Sequence, residues 1–401
     1  MPVKTEAQPY LDAFAPDAGE PAWLVAARRE ALTKFGEHGF PSRKEEAWRF
    51  TNLRSFANVS YPPRGRGRFV FPTGLPKGVW LGSIAQTIAT LPKLARELLE
   101  SSYYLDGHPF AALNAALFGD GYVLVVEPGL AVDKPIEIVH EADSMAAESI
   151  HLRNAIMLPT GSRATVIETY RGSGPYWCNA VTSVGIGDGS ALTQVKVQDE
   201  DTRATHFGTE RVALGTKARF NYFGLTLGAN LSRQEIYATH RDGSEANVSG
   251  AYLQRGDQDT TNVISIDHAL PNATTRELWK GVLDERAHGA FLGRILVRPD
   301  AQKTDAQQTS RALLLSDRAS VDTKPELEIL ADDVKCAHGA AIGDLDRDML
   351  FYLRARGIGA DEARRMLISA FVLDAIATVK EPALREHLTA QVQRWLDGVV
   401  R

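Results

Sequence analysis

Apolar positions along the chain change their spacing twice, and the two changes divide it into three. From Glu20 to Glu37, the residues Trp23, Leu24, Ala27, Ala31, Leu32 and Phe35 share one face at a period near that of a helix. Gly36 and Gly39 are the expected stops, with Pro41 just beyond. Ser42 to Glu45 predicts a capping box that opens a short helix through Trp48. Its Lys/Glu-rich turn reads either as a docking patch or as a solvated helix start. Tyr61 to Arg68 (YPPRGRGR) reads as a linker, because three arginines without an aromatic stacking platform do not make a nucleic-acid tail. Leu81 to Leu99 and Pro109 to Phe118 predict two more helices, the first of them weaker.

From Gly121 the pattern shortens to strands. Tyr122 to Val126, Ile136 to Val139, Ala155 to Leu158 and Ala164 to Tyr170 are β-branched or aromatic runs separated by Gly, Asp, Asn and Pro. A turn motif then recurs: GSRA at Gly161, DGSA at Asp188, GTKA at Gly215 and GSEA at Gly243. Its alanines are 164, 191, 218 and 246, spaced by 27, 27 and 28 residues, and a degraded copy (Pro271-Asn272-Ala273) follows. Strands are expected at Asn179–Ile186, Glu210–Leu214, Glu235–His240 and Asn262–His268. A repeat of this length with no helical period inside it predicts stacked coils, each burying its apolar face on the next. That is a parallel β-helix. The alternative is an antiparallel β-sandwich with accidental spacing, although the turns lack the Asn-Gly signature of tight hairpins.

After Leu345 the helical period returns. Asp346 to Arg356 predicts a helix closed by Gly357, and Asp361 to Val379 a second with Ala363, Met366, Leu367, Ala370, Phe371 and Ile376 or Ala377 as its stripe. Pro382 breaks the chain before a third, Ala383 to Val399. The expected fold class is therefore α+β: a β-solenoid core over 121–345, a mainly helical region over 1–120 and a helical domain over 346–401. Phe371 and Leu373 fall on different faces of the second helix. That pattern fits an exposed partner patch or a helix buried on both sides.

Composition narrows the chemistry. With 45 Lys plus Arg against 50 Asp plus Glu, the net charge of −5 does not suit a nucleic-acid binder. Glycine, at 33 residues, is slightly enriched, as corners between coils would require. Met1 to Pro21 has no apolar core like a secretory signal, and no apolar run is long enough to cross a membrane, so a cytoplasmic location and no membrane partner are expected. Only Cys178 and Cys336 occur, which excludes a disulfide framework and a four-thiolate metal site built by this chain alone.

One constellation stands out: Asp332-Asp333-Val334-Lys335-Cys336-Ala337-His338-Gly339. On a strand, residues two apart share a face, so Cys336 and His338 point the same way. They read as half of a soft metal site, as a thiol nucleophile with its base, or as a packed cysteine beside a satisfied histidine. Two ligands are not a complete site; a metal here needs a partner chain or small ligands. Cys178, beside Trp177 in a strand, reads as core. His140, His151, His206, His240, His268 and His288 are scattered without metal spacing, though stacked coils can align such residues. P-loop, dinucleotide, nucleophile-elbow and His-Glu-x-x-His signatures are absent. A carbohydrate-active β-helix would need carboxylate clusters. Asp199-Glu200-Asp201 and Asp257/Asp259 are the candidates, and such runs are more often solvated loops.

Several ordered blocks carry a resemblance. FPSRKEEAWRFTNL (40–53), RELWKGVLDERAHGAFLGRILVRPDAQKTDAQQ (276–308), LLLSDRASVDTKPELEILADDVKCAHGAAIGDLDRDMLFYLRARGI (313–358) and LISAFVLDAI (367–376) resemble the SufD-type scaffolds of the SufB/SufD family of iron–sulfur cluster assembly proteins. SufB-type chains are longer and usually read His-Glu-Ala-Thr where this chain reads His338-Gly339-Ala340-Ala341. They also carry a sulfur-accepting cysteine in the region corresponding to Ser316–Leu330, which has none here. The departure is Ala341, where the family commonly has Thr and a hydroxyl contact.

The resemblance implies a right-handed parallel β-helix between helical ends and a non-catalytic scaffold. It implies a SufB-type partner joined through the β-helix edges, and a SufC-type ABC ATPase bound through the C-terminal helices. Phe351, Tyr352, Arg356, Gly357 and Phe371 are the expected partner contacts. A nascent cluster would form at the shared interface, with His338 as iron ligand and Cys336 as a nearby thiol that ligates, relays sulfur or packs. ATP-driven closure of the ATPases would move the helices over 346–379 and shear the edges open. No tightly bound cofactor is expected in the isolated chain, flavin is not evident, and the isolated edge invites a homodimer. The rival readings are a carbohydrate-active β-helix and a stand-alone metal-binding or homodimeric module.

Overall fold

The computed structural model describes residues 6–16, 19–63, 68–99 and 107–399. Its N-terminal helices are α1 (Gln8–Asp12), α2 (Ala22–His38), α3 (Arg54–Ala57), α4 (Ile84–Thr90), α5 (Pro92–Leu99) and α6 (Pro109–Leu117), with β1 (Arg68–Val70) and β2 (Val79–Ser83) among them. The solenoid follows as β3 (Tyr122–Val126), β4 (Ile136–Asp143), β5 (Glu148–Leu158), β6 (Arg163–Ser173), β7 (Tyr176–Ile186), β8 (Ala191–Glu200), β9 (Thr205–Leu214) and β10 (Arg219–Thr226). It continues through β11 (Leu231–His240), β12 (Glu245–Gln254), β13 (Asp259–His268), β14 (Thr274–Leu283), β15 (His288–Val297), β16 (Asp305–Leu314), β17 (Ser320–Ile329) and β18 (Lys335–Gly343). α7 (Arg347–Ala355), α8 (Ala360–Ile376) and α9 (Pro382–Val399) close the chain.

Successive strands alternate between two sheets, ordered β1-β4-β6-β8-β10-β12-β14-β16-β18 and β17-β15-β13-β11-β9-β7-β5-β3-β2. From β3 onward every pairing is parallel, so each pair of strands is one coil. The expected parallel β-helix is what the chain forms. β1 and β2 add antiparallel to the first coil and blunt that end. Among the described residues, the other end, β17 and β18, has no strand beyond it.

The coil length departs from the 27-residue spacing of the turn motif. Residues 163, 191, 219, 245, 274, 305 and 335 are register partners, so coils run from 26 to 31 residues. Ala164, Ala218 and Ala246 are buried, but Ala191 pairs with Arg163 and Arg219 and is half-exposed. A one-residue slip moves a side chain to the opposite face, so the motif's alanines are not structurally equivalent. The true periodic element is a corner residue with positive φ: Gly129, Gly161, Gly189, Lys217, Gly243, Asn272 and Lys303. Each donates its backbone N–H to a carbonyl of the following coil, as Gly161 does to Asp188 at 3.0 Å and Lys217 to Asp242 at 2.9 Å. Glycine supplies four of these seven positions, so corners account for only part of the glycine enrichment.

Other expectations shift in detail. α2 ends at Gly39, with Gly36 still inside it. The capping-box segment gives only a 3-10 turn, Glu46–Trp48, although Ser42 N–H does donate to Glu45 at 2.8 Å. The helix expected over Leu81–Leu99 splits: its start is β2, and α4 and α5 are separate because Pro92 cannot continue α4. Residues 64–67 of the expected linker lie outside the described residues.

Inside the coils, Ile156, Ile186, Leu214, Ile264, Ile295 and their neighbours form a continuous apolar column. Outside, Phe40, Trp48, Phe56 and Phe110 pack on Trp177 and Phe207 of one sheet. On the other sheet Ile368, Val372, Ile376, Leu388 and Trp395 pack on Val195, Phe223, Leu225 and Leu253. The C-terminal helices thus fold back onto the middle of the solenoid. α8 rests on β12 and β14 and leaves α7 beside the open end. The stripe expected on α8 is mis-phased: Ala363 and Ile376 are buried, but Met366, Ala370 and Ala377 are exposed and the sheet-facing residues are Ile368, Val372 and Ala375. Apolar residues surround this helix, so periodicity alone does not select the buried side.

Candidate functional site

β18 presents Cys336 and His338 at the open end. Cys336 pairs in register with Ala306 of β16, and His338 with Gln308. Ala306 is fully buried in the solenoid interior, and Cys336 packs half-buried on the same cluster, so its thiol faces inward. His338, two residues on, shares that face but is exposed, because no coil covers it. The expected juxtaposition therefore stands at the rim of the solenoid.

Two columns run beneath it: Thr275, Ala306 and Cys336 in one, and Glu277, Gln308 and His338 in the other. Gln308 is buried and donates from Nε2 to Glu277 Oε2 at 2.9 Å. Burial pushes the Glu277 carboxyl up to about 8, despite that hydrogen bond. Partial burial also raises the Cys336 thiol above its ordinary 9.0, with the Ala306 backbone opposing and Asp305 adding to the effect. The thiol is thus protonated at neutral pH. Among the described residues no hydrogen bond joins Cys336 to His338, so the pair lacks the contact by which a base activates a nucleophile. A sulfur and an imidazole on one rim are two metal donors with room for others.

The expected partner residues fall into two places. Phe351 and Tyr352 lie on α7, which has no buried residue, and Phe351 is 74% exposed. Arg356 stacks over the Tyr352 ring at 4.2 Å, and Gly357 closes the helix with φ 86. Phe371 is instead half-buried on α8. Lys280 Nζ sits 4.4 Å from its ring centroid and donates to its carbonyl at 2.8 Å. Leu373 likewise packs half-buried on the outer cluster, while Met366, Ala370, Asp374 and Ala377 leave one stripe of α8 exposed. The exposed apolar surface also takes in residues not expected there: Met366, expected in the buried stripe of its helix, Met349 on α7, and Ile329, Leu330 and Ile342 on the last coil. Neither pair of apolar residues, Ile329–Leu330 or Phe351–Tyr352, alternates with polar ones, which is the signal that marks them.

The carboxylates needed for sugar chemistry do not converge. Asp201 is held by Arg203 and Asp257 by Arg286, while Asp259 bonds His288. Glu200 points into the interior and is fully buried, contrary to the expectation of a solvated run. A cavity of about 540 Å3 lies under the N-terminal helices, lined by Ala13, Leu24, Ile84 and Phe118, far along the chain from Cys336 and His338.

The histidines are aligned by the coils. His240 and His268 are register partners with rings stacked at 4.5 Å, and Thr275 Oγ1 lies 3.1 and 3.0 Å from their Nε2 atoms. His288 bridges Asp259 and Asp322 at 3.1 and 3.0 Å. Cys178 is fully buried, as its place beside Trp177 predicts.

Comparison with known proteins matches residues 139–371 to the family described as "SUF system FeS cluster assembly, SufBD core domain". The chain is 26% identical to the iron–sulfur cluster assembly protein SufD of Escherichia coli, covering 90% of this chain and 91% of that one. It is 26% identical to SufD of Bacillus subtilis, covering 96% and 97%. An iron–sulfur cluster assembly SufBD family protein of Mycobacterium leprae is 31% identical over 89% of this chain and 90% of its own.

Proposed function

Because the chain belongs to the SufB/SufD family of iron–sulfur cluster assembly proteins, we propose that it is the SufD-type scaffold of a SufBCD-type complex and catalyses no reaction itself. The observation that carries this is the incomplete donor pair, Cys336 and His338, on the strand that ends one sheet. The remaining ligands come from a SufB-type paralogue docked edge to edge, so the nascent cluster, which is cargo, forms across the joint. His338 ligates iron as a neutral imidazole. Cys336, protonated at rest, becomes a ligand or sulfur relay when iron displaces its proton.

The exposed residues Phe351 and Tyr352 of α7, with Arg356 and Gly357, form the dock for a SufC-type ABC ATPase. Phe371 then acts from behind by seating α8 on Lys280. ATP-driven closure of the ATPases moves the C-terminal helices and shears the paired edges, opening the rim to iron and sulfur. In the absence of the paralogue, the same edge pairs two copies of this chain. The complex works in the cytoplasm, and no helix among the described residues is long and apolar enough to cross a membrane.

Co-expression with the SufB- and SufC-type genes of the same genome, followed by anaerobic reconstitution with iron and sulfide, tests this reading. A stable ternary complex that gains a cluster is expected. A chain that binds neither protein overturns the proposal.

A further inference from the structure

Cys178, Glu200 and His206 meet inside the solenoid. Trp177 packs outward on the N-terminal helices, so Cys178 alternates inward from β7. His206 is its register partner on β9, and Glu200 ends β8 just before the corner that leads into β9. One ligand atom from each lies within 4.8 Å of the others, and all three residues are buried. Glu200 is itself oriented: Tyr176 donates to Oε1 at 3.0 Å and Gln198 to Oε2 at 2.8 Å. His206 Nδ1 is 2.8 Å from Glu200 Oε2 without the alignment of a hydrogen bond, and its Nε2 has no partner among the described residues.

A second observation points to the same place. His140 is 1% exposed, yet among the described residues neither ring nitrogen has a hydrogen-bond partner. Burial keeps this imidazole neutral, Glu200 and His206 are near enough to act on its charge, and the Tyr170 ring packs against both imidazoles, 5.5 Å from one and 5.0 Å from the other. Buried polar groups are paired in the great majority of cases, so an orphaned imidazole beside a misaligned one calls for a missing partner.

We propose that Cys178, Glu200 and His206 form a binding site for a divalent transition ion of the class of zinc and ferrous iron. Sulfur, imidazole nitrogen and carboxylate are the donor set such ions take. On binding, the Cys178 S–H bond breaks, its proton leaves to solvent and a metal–sulfur bond forms. Thiolate and carboxylate then cancel the two charges of the ion, which leaves a neutral centre suited to a dry interior. Tyr176 and Gln198 fix the carboxylate as outer-sphere partners do. All three ligands lie between residues 178 and 206, so the ion staples one coil of the stack together. The open rim is four strands away in the same sheet, about 20 Å at the usual strand spacing.

Two variants test the site with cobalt(II) as the probe. Cys336→Ala leaves Cys178 as the sole thiol. Refolded with cobalt(II), it is expected to hold one equimolar ion with a near-ultraviolet thiolate charge-transfer band that zinc displaces. Cys178→Ala introduced into the Cys336→Ala chain, which keeps no thiol at either place, is expected to lose the band. Should that variant not fold, the Cys336→Ala arm decides alone. Tyr176→Phe is expected to weaken cobalt binding on the order of tenfold. A folded Cys336→Ala chain that takes up no cobalt, or takes it up without a thiolate band, overturns the proposal.

Discussion

Gln308 holds Glu277 by a 2.9 Å hydrogen bond inside the solenoid, one coil below the strand that carries His338. That contact does not offset the burial of the carboxyl, which keeps its proton until about pH 8. In the unfolded chain the same group ionises near its ordinary 4.5. Folding stability therefore falls as the pH rises from 4.5 through 8, because the unfolded state sheds the proton first. Glu277→Gln removes this term. Denaturant melts at pH 5 and pH 8.5 should show similar stability at the first, and a gain for the variant on the order of 3 kcal/mol at the second. Identical pH dependence in the two proteins would sink the argument.

His288 works with the opposite chemistry. Burial alone would lower its pKa, but Asp259 and Asp322 together raise it above 6.5. A raised histidine stabilises fully below its unfolded pKa, and the benefit is lost as the pH climbs through the folded value. His288→Gln should cost about 1 kcal/mol at pH 6 and less at pH 9. Its imidazole resonances should titrate above those of the unfolded chain; a lower midpoint refutes the bridge.

Cys336 and Cys178 should separate cleanly under alkylation. Cys336 is half-exposed with a raised pKa, so iodoacetamide modification should be slow at pH 7 and accelerate above pH 9. Cys178 is sealed in the interior and should react only on unfolding. Mass spectrometry of both peptides checks the order, and early labelling of Cys178 would contradict the burial.

His338→Ala should abolish cluster formation while leaving the chain folded and its complex intact. The imidazole is exposed, so its loss should change stability by no more than ~0.5 kcal/mol. Iron and sulfide content after anaerobic reconstitution gives the readout. Full cluster occupancy in the variant removes His338 from the site.

The corner ladder offers a purely conformational test. A Cβ at Gly189 meets nothing within 4 Å, so Gly189→Ala carries only the cost of a positive φ, about 1 kcal/mol. Lys217 occupies the equivalent corner with φ 55, and Lys217→Gly should gain about as much. Thermal melts of the pair distinguish the two directions.

Much of the architecture was legible because it rests on local patterning. Gly357 as a helix stop, the strand runs after Gly121 and the shared face of Cys336 and His338 all follow from residue spacing. The coil register was not legible, since coil length varies and a lysine or an asparagine can occupy the corner where a glycine motif was sought. Nor was the side of α8 that faces the sheet, because apolar residues surround it. Least visible was the polar interior. Glu200 reads as part of an acidic loop, and only the turn after β8 shows that its side chain enters the solenoid beside His206.

A stack of coils that each touch only their neighbours behaves as a one-dimensional chain of cooperative units. Its first coil is sealed by β1 and β2 and its middle is clamped between two helical layers, whereas among the described residues the coil of β17 and β18 has a strand neighbour on one side only. Opening that last unit costs a single interface, and the column beneath stays intact. Hydrogen exchange in such an array grades from slow in the interior to fast at the free terminus. His338 and Cys336 therefore occupy the one coil that can fray and re-close without disturbing the rest of the fold.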